Sequence, residues 1–153
     1  QAGVQSAMQN IALVSGNARG ADRTAQEACL AAGGRVIVVV ADALTDHTEK
    51  DRTLYLSEEG FDQEFSAQRA LSRNRVIHAM GIVTFVAQAS FGIGGTWSGT
   101  VKNLQNGWSP VYGFDDGSDA MTELSQMGLA RIGIKQLADF YDLPKPEQNI
   151  FDR

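Results

Sequence analysis

The apolar residues of this chain are grouped in short runs, and longer segments of helical composition separate these runs. The clearest run, Arg35–Ala41 (RVIVVVA), is unbroken after its arginine, which is typical of a strand buried on both faces. Strands that alternate with helices indicate βαβ units, so the pattern predicts an α/β fold with a mostly parallel sheet. We predict further strands over Ile11–Ser15, Thr53–Glu58, Ile82–Ala87 and Pro110–Phe114. We predict helices over Asp22–Ala32, Ser66–Met80, Thr96–Gln105, Ser118–Met127 and Ile134–Tyr141.

Length and composition favour one compact globular domain. The chain has 153 residues, 43% of them apolar and 20% charged. It contains no apolar run of the roughly 20 residues that a membrane-spanning helix needs. We predict a single domain over residues 1–144 and a loose tail over 145–153, with residues 1–10 forming the end of a helix. Cys29 has no partner for an internal disulfide, which fits a reducing compartment. We therefore expect a cytoplasmic protein without membrane partners.

Charge is distributed unevenly along the chain. There are 13 basic and 18 acidic side chains, a net charge of −5, which argues against binding nucleic acid through bulk positive charge. Residues 65–114 nevertheless include no Asp or Glu. An acid-free stretch within an acidic protein favours a local anion site, so we expect a ligand that bears phosphate. The cations of this stretch are Arg69, Arg73, Arg75 and Lys102.

The first candidate loop is Ser15–Asp22 (SGNARGAD), which joins a predicted strand to a predicted helix. Ligands of parallel α/β sheets bind beyond the carboxyl ends of the strands, where such loops lie. The glycines allow backbone N–H groups to approach an anion, and the helix start adds partial positive charge. The alternative is a tight turn in which Asp22 is simply an acid at the helix start. The spacing alone leaves both interpretations open.

A second glycine-rich loop, Ser90–Thr100 (SFGIGGTWSGT), also stands between a strand and a helix. A phosphate or carboxylate would fit at the start of this helix. Phe91 and Trp97 either stack on a base or pack beneath the loop. The lysine that ends a Walker A loop has no counterpart here, which excludes an ATPase of that type.

The third candidate is the tripeptide Arg73-Asn74-Arg75. If it lies in the first turn of a helix capped by Ser72, its cations oppose the helix dipole, and a bound anion would remove the conflict. If the helix begins earlier, near Ser66, the arginines lie mid-helix on a solvated face or in ion pairs. Both interpretations stay open.

Taken in order, these segments resemble one family. SGNARGAD at 15–22, SRNR at 72–75 and GGTWSG at 94–99 are similar to the Rossmann-like domain of the DNA-processing protein A (DprA/Smf) group, within the nucleotide-binding SLOG superfamily. Leu56-Ser57-Glu58 matches a strand motif of that group, and the resemblance covers about residues 10–130. It implies a doubly wound, mostly parallel sheet. The family's first strand has no counterpart before Ile11, so we expect that strand and its loop to be missing.

The resemblance implies binding of single-stranded DNA or a nucleotide-type phosphate ligand, in uptake or recombination of DNA, with a recombinase as partner. We also expect a homodimer, no cofactor and no metal ion. The residues predicted to bind the ligand or its phosphate are Ser15, Gly16, Asn17, Arg19, Gly20, Asp22, Arg73, Asn74, Arg75, Gly94, Gly95, Thr96 and Ser98.

Two other functions compete with this one. A nucleotide phosphoribohydrolase of the lysine-decarboxylase-like SLOG branch has a glutamate where this chain has Asn103. An amide cannot exchange the proton that acid–base chemistry requires, so we expect binding rather than catalysis. The remaining alternative is a degenerate domain that serves only in oligomerisation and has no affinity for anions.

Overall fold

The computed structural model describes residues 1–146 and residue 151, which form two compact units. The N-terminal unit comprises Gln1–Ile77 and the C-terminal unit His78–Arg153. The predicted tail over 145–153 falls mostly on residues 147–150, 152 and 153, which lie outside the described residues. In the part of the chain that is described, no helix is long and apolar enough to cross a membrane.

The N-terminal unit contains a three-stranded parallel sheet in the order β1-β2-β3. The glycine loop between β1 and α2 and the loop after β3 both leave the carboxyl edge of this sheet. A single 3₁₀ turn, Leu44–Asp46, follows β2. The elements are α1 (Ala2–Met8), β1 (Leu13–Ser15), α2 (Ala21–Ala31), β2 (Val36–Val40), β3 (Thr53–Ser57) and α3 (Ala67–Met80), whose last residues belong to the next unit.

The central strand β2 forms the core of this unit. Val36, Val38 and Val40 pack with Cys29 of α2 in one buried cluster, and Val39 is buried as well, although its side chain points to the opposite face. Each of these valines contributes roughly 1.5–3 kcal/mol by leaving water. The prediction of a strand buried on both faces is therefore confirmed for β2.

The C-terminal unit contains a second parallel sheet, in the order β4-β5-β6. Met121 and Leu124 of the last helix are fully buried and pack against Val86 and Val111 from the strands. The side chain of Ser118 caps this helix by accepting a hydrogen bond from the Met121 N–H. The elements are β4 (Thr84–Val86), α4 (Gly94–Asn106), β5 (Val111–Phe114), α5 (Asp119–Met127) and β6 (Ala130–Ile132).

The predicted class, a Rossmann-like α/β fold with parallel strands, is confirmed, while β6 and the C-terminal helix are among the elements that differ from the prediction. β6 was not predicted, because it has only three residues and an arginine at its centre. The helix predicted over Ile134–Tyr141 is a 3₁₀ helix over Ile134–Ala138. In that helix only Leu137 is buried, too little apolar surface to stabilise a regular α-helix.

Candidate phosphate-binding site

The loop after β1 is held from within by Asp22. Its carboxylate, in the first turn of α2, accepts hydrogen bonds from the Gly16 N–H at 3.0 Å and the Ala18 N–H at 3.3 Å. Asn17, between these two, has a left-handed backbone with φ of 58°. Two of the N–H groups that would approach an anion thus bind an internal carboxylate. At the base of the loop, the buried Ser15 hydroxyl accepts a hydrogen bond from Gln26.

Arg73 lies in the middle of α3, not at its start. The helix begins at Ala67, and the Ser66 hydroxyl caps it by accepting a hydrogen bond from the Arg69 N–H at 3.1 Å. The interpretation in which this helix begins near Ser66 is therefore correct. Ser72 is an internal helix residue and caps nothing.

The guanidinium of Arg73 is buried and joins two strand ends to α3. Its Nη1 donates to the Gly16 carbonyl at 2.6 Å and to the Val39 carbonyl at 2.7 Å, and its Nε donates to Asn74 Oδ1 at 3.2 Å. Burial lowers the pKa of Arg73 below its ordinary value, while Asp22 and Asp42 oppose that shift. An arginine side chain keeps its charge in proteins, so Arg73 is a buried cation that anchors the glycine loop.

Gly16 is required by the same contact. A Cβ at this position would lie 2.5 Å from Cζ of Arg73, so a larger residue would push the guanidinium away from the carbonyl. Sequence reasoning assigned this glycine, and Arg73 as well, to direct phosphate contact. In the structure, the group that lies closest to Gly16 is the guanidinium of Arg73.

Arg75 is the exposed arginine of the tripeptide. It forms an ion pair with Glu58 beyond the end of β3, with Nη2 3.0 Å from Oε1, and its side chain is 64% exposed. The Ser72 hydroxyl donates to the same carboxylate oxygen at 3.3 Å. Glu58 is 19% exposed and also accepts from Arg75 Nε at 3.1 Å, so the guanidinium is the side of this pair that faces solvent and that another anion can reach.

Arg19 stands at the exposed tip of the glycine loop, next to the exposed Gly20. Its side chain makes no hydrogen bond or ion pair with any residue of the described part of the chain. Of the predicted phosphate ligands on this loop, Arg19 is thus the cation that is both exposed and unpaired.

The second glycine-rich loop belongs to the C-terminal unit. Helix α4 begins at Gly94, without a side-chain cap and without an acidic residue in its first turn. Trp97 packs against the core of the unit, and Phe91 contacts it edge-on, with ring centroids 5.0 Å apart. Thr96 is exposed and Ser98 half-buried. That Gly94, Gly95, Thr96 and Ser98 share one ligand with the first loop stays a prediction.

Asn103, at the place of the hydrolase glutamate, is fully buried in a polar network. Its Nδ2 bonds Nδ1 of His78 at 3.0 Å and donates to the Ser109 hydroxyl at 3.1 Å, and its Oδ1 accepts from the Ser109 N–H at 3.0 Å. The Ser109 hydroxyl is also 2.7 Å from that of Thr84. Sequence reasoning missed this network, which ties α4 to the turn before β5.

His78 is expected to stay neutral down to a pH of about 4. Burial lowers its pKa to about 4, and the unfolded chain takes up the proton near 6.5. Its stabilising contribution is therefore complete above pH 6.5 and is lost as the pH falls towards 4, by about 3 kcal/mol. A proton NMR titration measures this directly, because the chain has only His47 and His78, and His78→Gln assigns the resonances. Titration of His78 near 6.5 would contradict the expectation.

The comparisons with known proteins agree with these motifs. The family described as DNA recombination-mediator protein A matches residues 2–107, well over half of the chain. The chain belongs to this family. The resemblance deduced from the glycine loop, Leu56-Ser57-Glu58 and Arg73-Asn74-Arg75 is thereby confirmed.

A solved structure of the same family is similar to this chain. It is the X-ray structure of DNA processing protein A (DprA) from Streptococcus pneumoniae, which is 25% identical in sequence, with a TM-score of 0.69. The similarity covers 85% of this chain and 52% of that chain, so this chain spans about half the length of the DprA it matches. No curated protein matches the chain.

Proposed function

We propose that this chain binds single-stranded DNA or a nucleotide-type phosphate ligand at the carboxyl edge of its N-terminal sheet, within DNA recombination or processing. The observation that carries the proposal is the loop Ser15–Asp22. Asp22 and Arg73 fix its backbone from inside, while Arg19 at its tip is exposed and unpaired. A loop that is already ordered loses little entropy when it takes up a ligand.

The predicted ligand residues divide into two roles in this proposal. Arg19 and Arg75 contact phosphate oxygens, since both are exposed and a guanidinium offers forked N–H donors. Ser15, Gly16, Asp22, Arg73 and Asn74 support the loop from below, and Asn17 and Gly20 shape its outer turn. Within the C-terminal unit, Gly94, Gly95, Thr96 and Ser98 at the start of α4 stay predicted phosphate contacts. A recombinase partner, carried over from the resemblance, and a cytoplasmic location, which rests on the lone Cys29, are further proposals.

Replacing Arg19 by alanine is expected to weaken binding of oligothymidylates by about 10- to 100-fold. A charge-assisted hydrogen bond contributes roughly 1.5–3 kcal/mol, and each 1.4 kcal/mol is tenfold in affinity. Fluorescence anisotropy with oligonucleotides of increasing length, and competition by nucleoside monophosphates, at two salt concentrations, measures the effect. A DNA strand gives affinity that rises with length and falls with salt, whereas a free nucleotide gives neither the length dependence nor a steep salt slope.

Arg35→Ala is the matched control, because Arg35 is an exposed arginine of the same unit at the amino end of β2. It removes the same charge and is expected to leave affinity nearly unchanged. Equal binding by wild type and Arg19→Ala would remove the loop from the site. Absence of binding to every oligonucleotide and nucleotide would favour the oligomerisation module, and release of free base from the nucleoside monophosphates would favour the hydrolase.

A further inference from the structure

The loop after β2 carries a histidine and an aspartate that are hydrogen-bonded to each other. Asp42 follows the end of β2, and His47 follows the 3₁₀ turn Leu44–Asp46. Nε2 of His47 lies 2.7 Å from Oδ1 of Asp42, and we call the two residues the His47–Asp42 dyad. A carboxylate only accepts hydrogen bonds, so Nε2 carries the proton and the other ring nitrogen, Nδ1, has the free lone pair. A carboxylate that orients a histidine in this way prepares it for nucleophilic attack or proton transfer.

The ring of His47 is held in place by further contacts. It stacks on Tyr55 of β3, with ring centroids 4.9 Å apart and planes inclined by 24°. Tyr55 in turn packs against the buried cluster around β2. The His47 N–H donates to the Leu44 carbonyl at 3.2 Å, and the Leu44 N–H donates to the Phe61 carbonyl at 2.7 Å. A reacting group that is already oriented loses little entropy on the way to the transition state.

Nδ1 of His47 can be reached by a small molecule. It has no hydrogen-bond partner among the described residues. In the same part of the chain, Thr100 Oγ1 is the buried side-chain nitrogen or oxygen atom that lacks a partner, so the unpartnered Nδ1 is not buried. The side chain of His47 is 15% exposed and that of Asp42 38%. The residues on either side of His47 are exposed as well.

The position of the dyad indicates which reactant it suits. It lies at the carboxyl edge of the N-terminal sheet, the edge at which ligands of parallel sheets bind. Asp42 opposes the lowering of the pKa of Arg73, so this buried cation lies near the dyad and favours an anionic reactant. Asp42 accepts the ring N–H and therefore cannot give a proton to a leaving group. The reactant that fits is an acyl phosphate, because it is an anion and its leaving group departs as a carboxylate.

We propose that His47 is a phosphorylation site that takes its phosphoryl group from an acyl phosphate. Nδ1 attacks the phosphorus and forms the N–P bond, while the P–O bond to the acyl group breaks and its electron pair leaves with the carboxylate. No proton moves, because Nε2 keeps its hydrogen bond to Asp42. The ring becomes cationic, and the Asp42 carboxylate at 2.7 Å balances its charge. The product is phosphorylated on Nδ1 and not on Nε2. The proposal is independent of the phosphate site, because it uses neither Arg19 nor Arg75.

Incubation of the folded protein with acetyl phosphate tests this reaction. Mass spectrometry of peptides locates the phosphoryl group, and phosphorus NMR distinguishes the two ring isomers. His47 is expected to react at Nδ1 at least about 10-fold faster than in the chain unfolded in urea, where the dyad is absent. His78 is the internal control, because it is buried and its Nδ1 is bound to Asn103, so it stays unmodified in the folded protein.

Replacing Asp42 by asparagine tests whether the carboxylate activates the ring. Asp42→Asn keeps the size of the side chain and an acceptor oxygen but removes the charge, and it is expected to slow phosphorylation by about 10- to 100-fold. Asp46→Asn is the matched control, because Asp46 is exposed in the same turn and its side chain has no partner among the described residues. It is expected not to slow the reaction.

Circular dichroism with urea unfolding shows whether both variants keep the fold. The comparison of folded with unfolded wild type needs no variant, so it decides the question if Asp42→Asn does not fold. Each of four results would overturn the proposal: no phosphohistidine at His47, equal rates in the folded and unfolded chain, no difference between Asp42→Asn and Asp46→Asn when both fold, or phosphorylation on Nε2.

Discussion

Replacing Arg73 by methionine is expected to lower the free energy of unfolding by about 2–4 kcal/mol. Methionine keeps most of the apolar stem but leaves the buried carbonyls of Gly16 and Val39 without their shared donor. A buried acceptor that loses its partner costs roughly 1–3 kcal/mol, and more where the lost partner was charged. Urea unfolding followed by circular dichroism measures the loss, as a lower midpoint at an unchanged slope.

Arg75→Met is the matched control for this experiment. Arg75 lies on the same helix, two residues further on, and its own side chain is 64% exposed, whereas that of Glu58 is 19% exposed. Its replacement is expected to change the unfolding free energy by at most about 1 kcal/mol. If Arg73→Met costs no more than Arg75→Met, the guanidinium is not an anchor, and its role as a direct phosphate ligand becomes the better explanation.

This anchoring role changes how binding data on Arg73 must be interpreted. An Arg73 variant loses the support of the glycine loop, so weaker ligand binding would follow even if the guanidinium never touched phosphate. Arg19 avoids this ambiguity, because its side chain supports nothing else in the described structure. A selective loss of binding in Arg19→Ala at unchanged stability therefore identifies a direct contact.

The elements that could be predicted are those whose pattern is local. β2 follows from an unbroken apolar run, and α3 from helical spacing after Ser66. The motif SGNARGAD was correctly located in the loop after a strand, because it directly follows the apolar run that forms β1. β6 has no such local hydrophobic pattern. Its three residues belong to the sheet because they pair with β5.

The inner contacts of the site could not be predicted, because they join residues distant in sequence. Nothing in the sequence around Arg73 shows that its guanidinium is buried against the Gly16 carbonyl, 57 positions away. In the sequence, an arginine that accompanies a glycine loop suggests an exposed phosphate ligand. Its guanidinium is buried because α3 places it against the Gly16 and Val39 carbonyls. For Asp22, by contrast, the sequence allows an acid at the helix start, and its contact with Gly16 is local.

Replacing Asn103 by alanine is expected to lower the free energy of unfolding by about 2–4 kcal/mol. The change removes every hydrogen bond of a fully buried amide, and it leaves Nδ1 of His78 and the Ser109 N–H without those partners. Removing one member of a buried hydrogen-bond network costs more stability than the loss of a single pair suggests, because polar groups are poorly screened in the protein interior. Urea unfolding gives the magnitude.

Asn106→Ala is the control, because Asn106 is exposed and lies on the same helix, where its amide donates only to the Lys102 carbonyl. Its replacement is expected to cost less than about 0.5 kcal/mol, as surface changes usually do. Asn103→Asp adds a second test, because it restores an acid at the place of the hydrolase glutamate. A carboxylate beside the His78 ring is expected to raise the pKa of that histidine above about 4 without producing turnover of nucleoside monophosphates. If Asn103→Asp released free base, position 103 would be a reaction site, and the assignment of Asn103 to a structural network would be wrong.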